Sequence, residues 1–199
     1  MKKIYFLLFA LISGLSFAQV TFNPGIRVGA NISHLSDGPA QDYWYYNDSQ
    51  GYHYINNVYD IKSKVDFYVG FQANIRFAKF YALQPEVYYT RQGGKLESKT
   101  PGIDSKTVSL SYVGAAVVNK FYIDKFNLHF GPTLEILTDH KEIDHPTDAD
   151  LGLLFGAGYD ITKNIGVEAR VKKGFVHIFN DHTNVTFQAG VYYTFNLKK

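Results

Sequence analysis

The 199-residue chain contains no cysteine, so an exported form of it has no disulfide framework to hold it together. It also lacks any apolar run of the ~20 residues a membrane-spanning helix requires. The longest apolar run, 4–12, is roughly half that length. An excess of one charge is missing too. Removing Lys2 and Lys3 from the 20 basic residues leaves 18, equal to the 18 acidic ones. That balance offers no basic surface for a phosphate backbone and excludes a nucleic-acid partner.

What is present begins at the N-terminus. Met1-Lys2-Lys3, the apolar run, and Ser16-Phe17-Ala18 form a basic start, a short apolar core and a small-x-small end. This pattern predicts a secretory signal over residues 1–18, cleaved after Ala18, and one domain over 19–199. No cysteine follows the run, which excludes a lipid-anchored lipoprotein. Aromatics make up 17 % of the chain, with 16 tyrosines. Tyrosine suits a bilayer interface, being apolar at one end and wet at the other.

Period-two alternation dominates the rest. Over 65–77 the odd positions are Val65, Phe67, Val69, Phe71, Ala73, Ile75 and Phe77, all apolar. Between them stand Asp66, Tyr68, Gly70, Gln72, Asn74 and Arg76. After a very short break, Leu83, Pro85, Val87 and Tyr89 oppose Ala82, Gln84, Glu86 and Tyr88. Two such strands joined by a tight turn make an antiparallel hairpin. Strands of soluble sandwiches average ~5–6 residues. A bilayer-crossing strand takes ~9–11, apolar toward lipid and polar toward the lumen. Length and charge together predict that the apolar face points outward.

The same alternation yields further strands near 25–33, 107–123, 126–136, 151–161, 165–172 and 185–195, eight in all. Strand 107–123 alternates poorly: Val113, Ala115, Ala116, Val117 and Val118 are apolar on both faces, implying a bulge or an apolar patch in the lumen. Connections alternate between long (34–64, 93–106, 138–149) and short (78–80, 124–125, 162–164), with an intermediate one at 179–183. Short turns at one end, longer loops at the other and an even strand count describe an eight-stranded antiparallel up-and-down transmembrane β-barrel of a Gram-negative outer membrane. Lipid offers backbone polar groups no partner, so the sheet must close. Eight strands enclose an interior filled by side chains.

The chain resembles the small OmpA/OmpX-type barrels and, within them, the PorT-like outer-membrane β-barrel family. Gly25-Ile26-Arg27-Val28-Gly29-Ala30-Asn31, Leu83-Gln84-Pro85-Glu86-Val87-Tyr88-Tyr89 and Asn127-Leu128-His129-Phe130-Gly131-Pro132 carry the resemblance. Gly156-Ala157-Gly158-Tyr159-Asp160, Gly166-Val167-Glu168-Ala169-Arg170 and Ala189-Gly190-Val191-Tyr192-Tyr193-Thr194-Phe195 continue it in order. The chain departs from the family at Gly114-Ala115-Ala116, and in placing Asn196-Leu197-Lys198-Lys199 after Phe195. The insertion signal read by the barrel assembly machinery is then expected at Tyr193 and Phe195. The resemblance implies location and fold and little about activity, because such barrels host many functions.

Parity directs Arg27, Asp66, Arg76, Glu86, Glu135, Glu168, Arg170 and Lys172 into the lumen, as does His129. Both signs are present, which predicts an ion-paired plug rather than unpaired buried charge. No nucleophile motif or Ser-His-Asp order accompanies these residues, so no catalytic residue, enzymatic activity or cofactor is expected. The 139–145 run holds His140 and His145, weak candidates for a divalent metal, with a solvated loop the expected reading. Tyr43, Trp44, Tyr45 and Tyr46 lie in the longest loop, either against the barrel rim or as a contact for a protein or glycan partner. The expected role is structural or interaction-mediating, with outer-membrane lipid as surroundings. A secretion or transport accessory and, behind it, a lipid-modifying enzyme are the alternatives.

Overall fold

The computed structural model describes residues 20–36, 40–48, 51–99, 104–143, 146–178 and 182–197, with backbone alone over 40–48 and 51–58. The expected signal segment and its cleavage point lie outside the described residues. The elements are β1 (Thr21–Ser36), β2 (Ala40–Asp48), β3 (Gly51–Ala78), β4 (Tyr81–Ser98), β5 (Lys106–Ile123), β6 (Phe126–Lys141), β7 (Ala149–Asp160), β8 (Ile165–Gly174) and β9 (Thr183–Thr194). Every pairing among them is antiparallel.

Eight of these strands close a ring. β1 pairs with β3 from Thr21↔Arg76 to Ser33↔Lys64, and with β9 from Gly25↔Thr194 to Ser36↔Thr183. Closure leaves no unpaired edge in the ring, as a sheet in lipid requires. The turns between β3 and β4, β5 and β6, and β7 and β8 share one end with both strand termini of the ring. Asp124 takes a left-handed conformation (φ 56°) in the Asp124-Lys125 turn, which a short polar side chain tolerates.

The barrel is inside out relative to a soluble one. Phe71 is 70 % exposed, whereas Glu86 on the neighbouring strand is 3 % exposed. An outward aromatic row runs across neighbouring strands as Phe77–Tyr81, Tyr81–Phe121, Phe121–Phe130 and Phe130–Phe155, with centroids 6.2, 5.3, 5.9 and 6.0 Å apart. Such rings suit the interfacial belt of an outer-membrane barrel.

Three expectations are corrected. The 34–64 segment is not an irregular loop: β2 pairs with the first part of β3 from Ala40↔Tyr59 to Asp48↔Gly51, a hairpin standing beyond the ring. Its β-prone tyrosines and tryptophan can form a ladder although they lack clean alternation. The 93–106 stretch is not all loop, because β4 continues through Gly93-Gly94 to Ser98. Gly93 sits at φ 143°, a backbone state without penalty for glycine, and its N–H donates to Ser33 Oγ at 2.9 Å. The 138–149 connection is likewise shortened, since β6 runs to Lys141.

The poor alternation of β5 is an apolar lumen patch. Ala116 and Val118 pack inward with Tyr88 and Leu154, while Val113 and Val117 face out. A bulge is also present, but beside this patch, where the β5–β6 register shifts between Ser111 and Tyr112.

Candidate functional site

Alternation sends one residue in two of each strand into the lumen, and small positions opposite make room for large ones. Gly166 faces the Tyr192 ring so closely that any Cβ there would collide with it. The inward side chains then sort into layers along the barrel axis.

The middle layer joins four strands. Arg170 from β8 forks onto Glu86 of β4, with both Nη–Oε distances 2.8 Å. Its Nη2 also lies 3.0 Å from Glu168 Oε2. Arg27 of β1 pairs with Glu86 and with Glu168. Two arginines thus face two carboxylates, all nearly inaccessible to solvent. The Tyr68 hydroxyl donates to Glu168 at 3.0 Å, and Gln84 Nε2 donates to Glu86 at 2.7 Å. Bidentate charge-assisted bonds of this kind offset the desolvation of each buried ion. The void beside Arg27, Glu86 and Arg170 is about 10 Å³. That holds about one water molecule.

A second layer lies toward the long-loop end. Lys172 pairs with Glu135, and Gln92 Nε2 donates to Glu135 Oε2 at 2.9 Å. Thr186 Oγ1 donates to Gln92 Oε1 at 3.0 Å. Nearby, Asn31 Nδ2 donates to Thr90 Oγ1 at 2.7 Å and accepts at Oδ1 from Gln188 Nε2 at 3.0 Å. Asp66 stands on the β3 wall with Lys64, and Arg91 Nε lies 3.7 Å away.

Beyond these layers the lumen turns apolar. Leu35, Tyr59, Leu96, Val108, Leu110, Tyr112 and Ile178 form one buried cluster at the long-loop mouth. Loop backbone holds it shut: Thr147 N–H donates to the Ile178 carbonyl at 3.0 Å, and Ile178 N–H to that of His182 at 2.8 Å.

The eight charged residues expected inside do face the lumen, but they do not form one network. Arg27, Glu86, Glu168 and Arg170 come together; Glu135 and Lys172 form a separate pair. Asp66 belongs to the wall near Lys64, and Arg76 stands apart at the opposite end with its guanidinium 3.8 Å over the Tyr122 ring. His129 is buried and hydrogen-bonded to Asn127 at 2.9 Å. Sequence reasoning passed over Lys120, which is 1 % exposed. Its position in phase with Ala116 and Val118 was the available signal. Gln84 and Asn31 stood on the inward face by parity but were not expected in the hydrogen-bond layers, and Gln92 was missed, because no charge search finds an amide.

His140 is exposed on β6, and His145 lies outside the described residues. Among the described residues no three His, Asp or Glu side chains converge as a metal site. Tyr43, Trp44, Tyr45 and Tyr46 lie on β2, opposite Asn56, Ile55, Tyr54 and His53.

A family model described as "Outer membrane protein beta-barrel domain" matches residues 17–180. The crystal structure of Neisserial surface protein A superposes with a TM-score of 0.53 at 18 % identity, covering 86 % of this chain and 97 % of that one. The solid-state NMR structure of the outer-membrane protein AlkL in DMPC bilayers gives 0.50 at 11 %, covering 92 % and 95 %. No curated protein sequence matches significantly.

Proposed function

Because the chain belongs to the outer membrane protein beta-barrel domain family, we propose that it is a closed outer-membrane barrel with a structural or interaction-mediating role and no catalytic one. The observation that carries this reading is the middle layer: four mutually compensated charges meet across the bore, and the void beside them is about 10 Å³. Such a plug argues against permeation through the bore. The partner surface is the β2–β3 hairpin, whose Tyr43, Trp44, Tyr45 and Tyr46 are suited to stacking on a glycan or docking a protein.

The first test is whether the band of the membrane fraction shifts on boiling, followed by planar-bilayer recording of the refolded protein. A heat-shifted band without steady conductance is expected. Steady conductance would overturn the plug reading. Deleting residues 40–58 should leave the heat shift intact and abolish any surface partner found by cross-linking.

The ordered motifs similar to the PorT-like family support a secretion accessory as the alternative role. Co-purification of periplasmic secretion components with the intact barrel, retained after the hairpin deletion, would favour it.

A further inference from the structure

At the short-turn end, facing the periplasm in an outer-membrane barrel, the lumen opens into a cavity of about 90 Å³. That exceeds the ~10–15 Å³ one water needs. Its walls carry Arg76, Lys120 and Lys163 against a single carboxylate, Asp160. Asp160 is already engaged by the Tyr192 hydroxyl.

The cations here differ from those of the layer above. Glu86 and Glu168 are both held by Arg27 and Arg170, so that layer is balanced two against two. Lys120 reaches neither carboxylate as an ion pair, although both act on it through space. Its ammonium instead stands 4.8 Å from the Tyr192 ring centroid and 5.9 Å from that of Tyr122. Arg76 lies over the Tyr122 ring; its Nε is buried with no hydrogen-bond partner, as are those of Arg27 and Arg170, but unlike theirs its guanidinium forms no ion pair among the described residues. A fully buried lysine and a half-buried arginine therefore converge on one cavity whose single lining carboxylate is Asp160, and among the described residues neither cation forms an ion pair with it. Leaving buried charge uncompensated is costly.

We propose that this cavity is a periplasm-facing binding site for a single compact oxyanion of the phosphate type, held by Lys120 and Arg76, with Lys163 at the rim. The ring faces of Tyr122 and Tyr192 keep the two cations apart and aimed inward. Asp160 and the barrel's narrow bore restrict the site to one such group. The oxyanion is either a free ion or the end group of a larger periplasmic or lipid molecule.

The test is ³¹P NMR of inorganic phosphate titrated with the refolded full barrel in a phosphate-free sugar detergent. Line broadening should saturate with the native protein and weaken at least tenfold in Lys120→Met and in Arg76→Gln. Lys95→Gln, at the opposite end, should behave as native. Each variant is first checked for the heat shift, and Arg76→Gln carries the test if Lys120→Met does not fold. Broadening by glycerol 3-phosphate as well would assign an end group, and by inorganic phosphate alone a free ion. No saturable broadening by either probe, or equal broadening in all variants, would overturn the site.

Discussion

The two mouths of this barrel are opposites. At the long-loop end the lumen is sealed by Leu35, Leu96, Leu110 and their neighbours, whereas at the short-turn end it is open and lined by cations. The difference traces to the solvent outside. On β4, Glu86 points in and Val87 out at membrane depth; farther along, Leu96 points in and Lys95 and Glu97 out. Through Gly93 the strand keeps the same parity inward; the medium around it changes. Facing lipid, the apolar half goes outside; past the lipid, water returns and the ordinary rule of an apolar interior resumes. On β3 the backbone phase inverts as well: Tyr59 points in and Lys62 out, whereas Tyr68 points in and Phe67 out, and the register shift between Ser63 and Tyr68 lies at the changeover.

This contrast can be broken at several points. The largest effect is expected from Arg170→Ala, which leaves Arg27 alone against the buried Glu86 and Glu168 carboxylates and should cost roughly 3–5 kcal/mol. Urea unfolding of the refolded barrel in micelles measures it. Next, Val69→Arg places a charge on the lipid face near the midplane and should cost roughly 2–4 kcal/mol of insertion free energy. Gln72→Arg, three residues on but inside, should be milder; equal tolerance of the two would contradict the face assignment. Leu110→Ala in the sealed mouth should cost about 2 kcal/mol, the low end for a buried leucine, because the loops can settle into the space. Hydrogen exchange should quicken at the outer ends of β4 and β5 and stay unchanged near Arg27. Lys62→Ala breaks an exposed pair with Asp60 at 2.7 Å and should leave the unfolding midpoint where it was.

Much of the fold was legible because lipid and lumen demand opposite chemistries on alternate residues. Val65 to Phe77 announces its own two faces, and the lumen charges follow by parity. Legibility failed where that demand lapses. Beyond Tyr89 the apolar phase inverts, so Leu96 breaks the pattern, and Gly93-Gly94 reads as a breaker although the strand runs on to Ser98. The β2–β3 hairpin went unseen for a related reason: standing beyond the ring, it is under no lipid constraint that would impose alternation on Tyr43 to Tyr46.

Within the lumen, parity could say that Arg27, Glu86, Glu168 and Arg170 face inward, but not that they meet. They lie on four places along three strands, and their heights are set by the stagger of pairings such as Arg27↔Gly70, Gln72↔Glu86 and Glu168↔Gly190. By itself the sequence determined the closed barrel, its outward apolar face and most residues of its membrane-depth interior, because these follow from local alternation against a fixed medium. Only the tertiary structure decided which charges neutralise one another and which, Lys120 and Arg76, are left over, because register acts between strands far apart in the chain and no local pattern encodes it.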